Sequence, residues 1–148
     1  MSDEATYRGV VYPWQCDHNG HMNVMWYVSK FDEANWSLVS RLGLLKASSS
    51  RDEGRGFVAL QQNILYKQEV FAGELLEVRS FLHEVREKII RFVHEMLNSE
   101  TGEMVATCDM TAIHMDRVAR KSTPIPSGMR DMALRHVVPR ASAGDIAS

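Results

Sequence analysis

From residue 23 to residue 42 the apolar side chains Val24, Tyr27, Val28, Phe31, Ala34, Leu38, Val39 and Leu42 recur at three- and four-residue steps, and beyond Gly56 the period changes to two. The first pattern specifies a helix with one buried stripe, the second a run of half-buried strands. Asn23 suits the N-cap and Gly43 the position just past the helix end. An element of ~20 residues is ~30 Å long, enough to cross a small domain. Residues 7–12 form a short β-branched and aromatic stretch closed by Pro13, and four alternating segments follow at 57–68, 74–85, 88–97 and 103–116. In the last of these Val105, Thr107, Asp109, Thr111 and Ile113 face one way while Met104, Ala106, Cys108, Met110 and Ala112 face the other, so one face is dry.

One strand, one long helix and four consecutive antiparallel strands imply an α+β architecture, a curved antiparallel sheet wrapped around one long central helix. Residues 46–56, with three serines, two glycines and five charges, read as a mobile loop. The Thr123-Pro-Ile-Pro126 segment cannot pair regularly, and the Ala-, Ser- and Gly-rich stretch 138–148 reads as a flexible tail. The 148 residues have room for a single domain with one core. One sheet layer over one helix leaves an edge strand and part of the helix uncovered, so a homodimer, or a tetramer built as a dimer of dimers, is expected.

Charge narrows the choice of partner. Seventeen Lys and Arg are offset by nineteen Asp and Glu, with no basic run beyond Arg120-Lys121, so nothing argues for nucleic acid. The acidic, polar start Met1-Ser-Asp-Glu-Ala-Thr excludes a secretory signal, and no apolar run approaches the ~18 residues of a spanning helix. Cys16 and Cys108 are too few for a disulfide framework and fit a reducing compartment. The expectation is a cytoplasmic protein without membrane association.

The candidate chemistry lies immediately before the helix. Asp17, Asn19 and His21 occupy alternate positions, so an extended backbone would point all three the same way, and the helix start would aim free N–H groups at whatever they hold. Attack on a carbonyl needs a nucleophile or an activated water, and donors for the oxygen as its charge develops. Asp17 supplies the first and the helix N-terminus the second, with His21 and Asn19 placed to hold water or orient the carboxylate. The plain reading of Asp followed by Asn-Gly is a turn or a cap. His18 and His21 have a metal-like spacing without a third ligand, so no metal and no cofactor is expected. Cys16 points away from Asp17 into the core under the same alternation, and Asp32 and Glu33 read as charges on a solvated helix face.

The motif Tyr12-Pro-Trp-Gln-Cys-Asp17-His-Asn-Gly20-His21-Met-Asn23, followed by Tyr27 on a long helix, resembles the opening of the hotdog-fold acyl-CoA thioesterases of the 4-hydroxybenzoyl-CoA thioesterase type. Ala72-Gly-Glu-Leu-Leu-Glu-Val, Met104-Val-Ala-Thr and Arg120-Lys-Ser-Thr-Pro-Ile-Pro fall where that family enters later strands, so the likeness covers roughly residues 7–126. The resemblance implies hydrolysis of an acyl-CoA thioester to free acid and CoA. Asp17 would be the catalytic carboxylate, nucleophile or general base, and Gly20 the glycine of the bend. Val24 would offer the backbone N–H that binds the thioester oxygen, flanked by Asn23. Asp17-x-Asn19-x-His21 is also similar to the plant acyl-carrier-protein thioesterases, in which a further downstream Glu contributes. No position in this sequence marks that Glu.

An acyl-CoA substrate calls for cations near its phosphates, at strand ends or on a partner subunit, and Lys88, Arg91, Arg120 and Lys121 are the candidates. Trp26 and Tyr27, with Tyr12, Trp14 and Trp36, concentrate aromatic surface near the motif. Core packing accounts for it, and the sharper reading is a cage for a cationic acyl group such as a quaternary ammonium. Two other readings stand beside the hydrolase. An (R)-specific enoyl-CoA hydratase of the same fold would separate its Asp and His by four residues rather than the three between Asp17 and His21. A non-catalytic acyl-CoA binding protein would signal through an extra segment, which is not expected with a first strand beginning near residue 7.

Overall fold

The structure, a computed structural model, describes residues 4–44 and 54–139. Strand β1 (Tyr7–Val10) leads through a 3₁₀ turn at Pro13–Gln15 into helix α1 (Val24–Arg41), and strands β2 (Arg55–Tyr66), β3 (Leu75–Val85), β4 (Ile89–Asn98) and β5 (Met104–Asp116) follow. A two-residue strand β6 (Lys121–Ser122) and helix α2 (Ser127–Leu134) complete the described chain. The sheet order is β1-β3-β4-β5-β2, antiparallel throughout, with β6 on the end of β5. Register shifts between Ala59 and Gln61, between Leu82 and Glu84 and between Met96 and Leu97 each insert an extra residue or break the ladder, which bends and twists the sheet. This is the expected α+β hotdog architecture.

Helix α1 begins and ends where the sequence places it, because its caps are local. Asn23 Oδ1 accepts from Met25 N–H at 3.0 Å, and Gly43 adopts a φ of 77° just beyond the C-cap Leu42. Its buried stripe is rotated from the expected one. Tyr27, Lys30, Phe31, Ala34, Asn35 and Leu38 are buried, whereas Val24, Val28 and Met25 are exposed. The helix packs chiefly on β1, β3 and β4, so the residues facing the β2 side stay open.

Three other expectations change. Arg55 and Gly56 belong to β2 rather than to a loop, paired with Asp116 and Met115, and the rest of the expected loop lies mostly outside the described residues. The segment after Ser122 is anchored although it cannot form a long strand: Thr123 N–H donates to His114 O and Ile125 N–H to Glu87 O, and α2 then buries Met129 and Ala133. Val138, at the head of the expected tail, donates to Leu82 O at 2.8 Å, while residues 140–148 lie outside the described part. In β5 the dry face is Ala106, Cys108, Met110 and Ala112, as the alternation requires, continued by His114. Val105 is buried as well, because the register shift at Met96 and Leu97 turns it inward.

A buried polar row crosses this core. Thr6, Ser80, His94 and Asn35 are each at most 8% exposed. Ser80 Oγ lies 2.7 Å from Thr6 Oγ1 and 2.6 Å from His94 Nδ1, and His94 Nε2 lies 3.2 Å from Asn35 Oδ1. With the Asn35 oxygen facing it, Nε2 carries the ring proton and Nδ1 accepts from Ser80. Burial pushes the His94 pKa down to about 3, so the ring is neutral.

Candidate active site

The segment between β1 and α1 is not extended. Gly20 N–H donates to Asp17 O at 2.9 Å and Asn19 N–H to Asp17 Oδ1 at 2.8 Å, which closes a tight turn over residues 17–20. Gly20 sits at φ 85°, the left-handed region that glycine enters without strain. The expectation that Asp17, Asn19 and His21 project together from an extended backbone is therefore corrected, since the Asp carboxylate prefers the local donor two residues on. Asn19 contributes its backbone N–H to Asp17, and the Asn19 residue is exposed.

The residue that reaches Asp17 from the helix is Asn23. Its Nδ2 donates to Asp17 Oδ2 at 3.0 Å while its Oδ1 caps Met25 N–H, so one side chain ties the carboxylate to the helix start. Trp26 N–H is taken by Asn23 O. Among the described residues Val24 N–H has no acceptor, leaving it free at the positive end of α1. The Asn23 hydrogen bond and then the Asn19 N–H hold the Asp17 carboxyl below its ordinary pKa, with His21 and His18 adding a smaller effect. Asp17 is an ionised, accessible carboxylate, and each of its oxygens keeps an unused lone-pair direction.

The turn is itself braced from beneath. Asn23 N–H donates to Gln15 O, Gln15 Oε1 accepts from Tyr12 N–H at 3.0 Å, and the buried Lys30 ammonium reaches the same Oε1 at 3.4 Å and Tyr7 Oη at 2.9 Å. Cys16 is half-buried, bridges to Met22 and packs against the core, as expected.

His21 turns toward the β2–β3 connection. Its Nδ1 lies 3.4 Å from Met22 O and its Nε2 3.7 Å from Glu69 Oε1. His21, Val24, Tyr27, Tyr66 and Glu69 border an open cleft of about 220 Å³ at the helix start. Tyr27 is buried, donates through Oη to Gln68 O at 3.1 Å, and meets the Tyr66 ring edge-on at 5.0 Å. Burial, then Tyr66, Glu69 and Glu74, push the Tyr27 hydroxyl up to about 12. Glu69 is the group that sequence reasoning missed. Only the tertiary fold brings it to His21 across 48 positions, and no local pattern marks it.

The other candidates do not converge on Asp17. Lys88 lies in the β3–β4 turn, Arg91 early in β4 and 3.4 Å from Glu84, and Arg120 and Lys121 at the β5–β6 turn. By register this end of the sheet is opposite to Tyr66, Val70 and the Asp17 turn, so within one protomer the four cations are remote from the carboxylate. The aromatic cluster also divides. Tyr12 stacks on Trp14 at 5.5 Å, and Trp14 meets Trp26 edge-on at 5.0 Å. Tyr12 and Trp14 are exposed, which corrects the expectation of core packing. Trp36 is exposed too, and with Asp32, Asn35, Phe57 and Phe92 it borders a separate cavity of about 300 Å³ between α1 and β2. Among the described residues no group of three His, Cys, Asp or Glu side chains could hold a metal ion, and no helix is long and apolar enough to cross a membrane.

Residues 11–132 match the family model of the thioesterase-like superfamily. The chain belongs to that family. It is 31% identical over 121 residues to the L-carnitine dehydrogenase/betainyl-CoA thioesterase of Agrobacterium fabrum, covering 82% of this chain and 24% of that protein. The chain thus spans about a quarter of that relative's length. A betainyl-CoA thioesterase of Pseudomonas aeruginosa is 28% identical over 121 residues, covering 81% of this chain and 75% of that one. Among solved structures, the 1,4-dihydroxy-2-naphthoyl-CoA thioesterase from Synechocystis superposes with TM-score 0.75 at 18% identity, covering 86% of this chain and 93% of that one. A Staphylococcus aureus protein solved in complex with CoA gives TM-score 0.79 at 17% identity, covering 100% and 95%. These structural likenesses confirm the hotdog fold.

Proposed function

We propose that this member of the thioesterase-like superfamily hydrolyses an acyl-CoA thioester to a free acid and CoA. The observation that carries the reading is the Asn23 side chain, which joins an ionised Asp17 to the helix start whose Val24 N–H is free. The thioester oxygen accepts from Val24 N–H, and the helix dipole stabilises the charge that develops there. An Asp17 oxygen attacks the carbonyl carbon, the C–S bond breaks, and the CoA thiolate leaves with the electron pair. Water then cleaves the mixed anhydride and restores the carboxylate.

General-base attack by water is the second route, in which Asp17 takes the water proton and the departing thiolate is protonated by solvent. The lowered Asp17 pKa keeps the carboxylate ionised, which both routes need, and weakens it as a base and as a nucleophile alike. Single-turnover hydrolysis in heavy-oxygen water tests the anhydride: label in Asp17 marks water attack on the Asp17 carbonyl of that intermediate, which direct attack of water on the thioester cannot produce. The relatives named as betainyl-CoA thioesterases support a small cationic acyl group as the first substrate to assay, by release of free thiol.

The same reading includes a two-fold dimer. Among the described residues the outer edge of β2 has no partner strand, and Val58 and Leu60 on it, with Met25 and Val28 on α1, are exposed. Pairing β2 with a second copy would cover this edge and bring a second set of cations near each Asp17, which one protomer does not do. Sedimentation at micromolar concentration tests it, and a stable monomer would remove the dimer from the proposal.

A further inference from the structure

The cleft at the start of α1 joins the position against the oxyanion donor that any acyl group needs to two features that a neutral one does not require, an aromatic ring and a carboxylate. We propose that Tyr66 and Glu69 form the acyl-recognition site and select a quaternary ammonium group. The inference rests on the thioesterase reading and adds to it the residues that choose the substrate.

Position decides first. Val24, whose N–H is free, itself borders the cleft, so an acyl group whose oxygen sits on that N–H projects directly into it. In a betainyl group the nitrogen is two bonds from the carbonyl carbon and must be recognised there. Trp36 is twelve residues further along α1, about 18 Å at the helical rise, and cannot reach so short a group within the protomer. Tyr12, Trp14 and Trp26 do not border this cleft, and Tyr27, which does, is buried. Tyr66 is the aromatic side chain that remains, about half exposed at the end of β2 and held edge-to-face by Tyr27.

Charge decides second. Glu69 presents a largely exposed carboxylate at this cleft, 3.7 Å from His21. Lys67 borders it also, and its positive charge opposes an ammonium, so the Glu69 carboxylate is the group that has to outweigh it. Tyr27 reports the same field: after burial, the neighbours that raise its hydroxyl pKa include Glu69 and Glu74. Glu74 accepts from Phe71 N–H and serves the turn. A ring face and a carboxylate attract a trimethylammonium together, the ring through its quadrupole and the carboxylate through its charge, without any hydrogen bond that the methyl groups could not make. The size is compatible, because a cleft of about 220 Å³ admits a compact trimethyl group.

The test compares betainyl-CoA with 3,3-dimethylbutanoyl-CoA, in which carbon replaces the nitrogen at equal shape, by kcat/KM from thiol release. The native protein should prefer the cationic ester by about tenfold or more. Glu69→Gln and Tyr66→Leu should each pull that ratio toward one, about tenfold for the first and about threefold for the second. Tyr66→Phe, which keeps the ring, should retain the preference. Equal turnover of the two esters by the native protein overturns the inference, as does a ratio that neither Glu69→Gln nor Tyr66→Leu moves. A parallel fall for both esters in Glu69→Gln also overturns it and assigns Glu69 to the reaction through His21. Turnover of other acyl-CoA esters but neither of these two rejects the site alone, and no turnover of any acyl-CoA rejects the thioesterase reading beneath it.

Discussion

Two polar networks in this molecule each draw on asparagine and histidine and reach opposite ends. At the helix start the Asp17 carboxylate takes Asn19 N–H and Asn23 Nδ2 in the open, with His21 turned toward Glu69; in the core Thr6, Ser80, His94 and Asn35 meet out of reach of water. In the first, hydrogen bonds act on an exposed carboxylate and lower its pKa, so the charged form is favoured and available. In the second, burial dominates, the imidazole pKa falls to about 3, and the uncharged form is fixed. A His-Ser-Asn arrangement resembling a catalytic set is buried in neutral form, and a carboxylate that looks like a turn residue is the group we propose as reactive. Solvent access, rather than the list of side chains, separates the two roles.

The comparison breaks most directly at Asp17. Asp17→Asn should lower kcat on an acyl-CoA by on the order of 10²-fold or more with the fold intact, measured by thiol release alongside circular dichroism. The equivalent change in the core should do the reverse. His94→Leu leaves Asn35 Oδ1 without its donor and should cost about 3 kcal/mol of stability, while the chemical step on the remaining folded protein is little changed.

Titration sharpens the same contrast. His94 has its folded pKa depressed from 6.5 to about 3, so the unfolded chain binds the extra proton first. Its contribution to stability is therefore complete above pH 6.5 and is lost as pH falls toward 3, with a slope of up to about 1.4 kcal/mol per pH unit. Denaturant melts at intervals across that range should show the slope in the native protein, and His94→Leu should lack this component. For Asp17 the readout is rate. Its lowered pKa places the acid limb of kcat/KM below the ordinary carboxylate range, and Asn23→Ala, which removes the largest cause, should move that limb to higher pH. An unmoved limb would show that the Asn23 bond does not govern the reactive group.

How much of this was legible depends on how local each cause is. The extent of α1 was readable because a capping Asn and a left-handed Gly act within a few residues of the ends they fix, and the strands because alternation repeats along each one. The rotated stripe was not readable, since Lys30 and Asn35 enter the core only through partners on other elements: Tyr7 and Gln15 for the lysine, His94 for the amide. Helix α2 escaped notice because eight residues behind Pro124 and Pro126 offer too little periodicity, and its burial comes from docking near β3. Within the site, Asp17, Gly20 and Asn23 lie inside one short motif and could be named together. Glu69 could not, because its partner His21 lies on a different segment and no turn or cap links them.

Gly20 sets the smallest effect and isolates the geometry of the open network from its chemistry. Its φ of 85° disfavours any L side chain, yet a Cβ there would meet nothing within 4 Å. Gly20→Ala should therefore cost only the backbone term, about 1 kcal/mol, and no steric clash. Because Gly20 N–H closes the turn on Asp17 O, relaxation of the strained Ala should rotate Asp17 away from Asn19 and Asn23 and raise its pKa. The acid limb of kcat/KM should then shift upward in the same direction as in Asn23→Ala but by less, with a small fall in melting temperature. A Gly20→Ala protein with the native limb and only the lower melting temperature would mean that the two hydrogen bonds, and not the turn, hold the carboxylate in place.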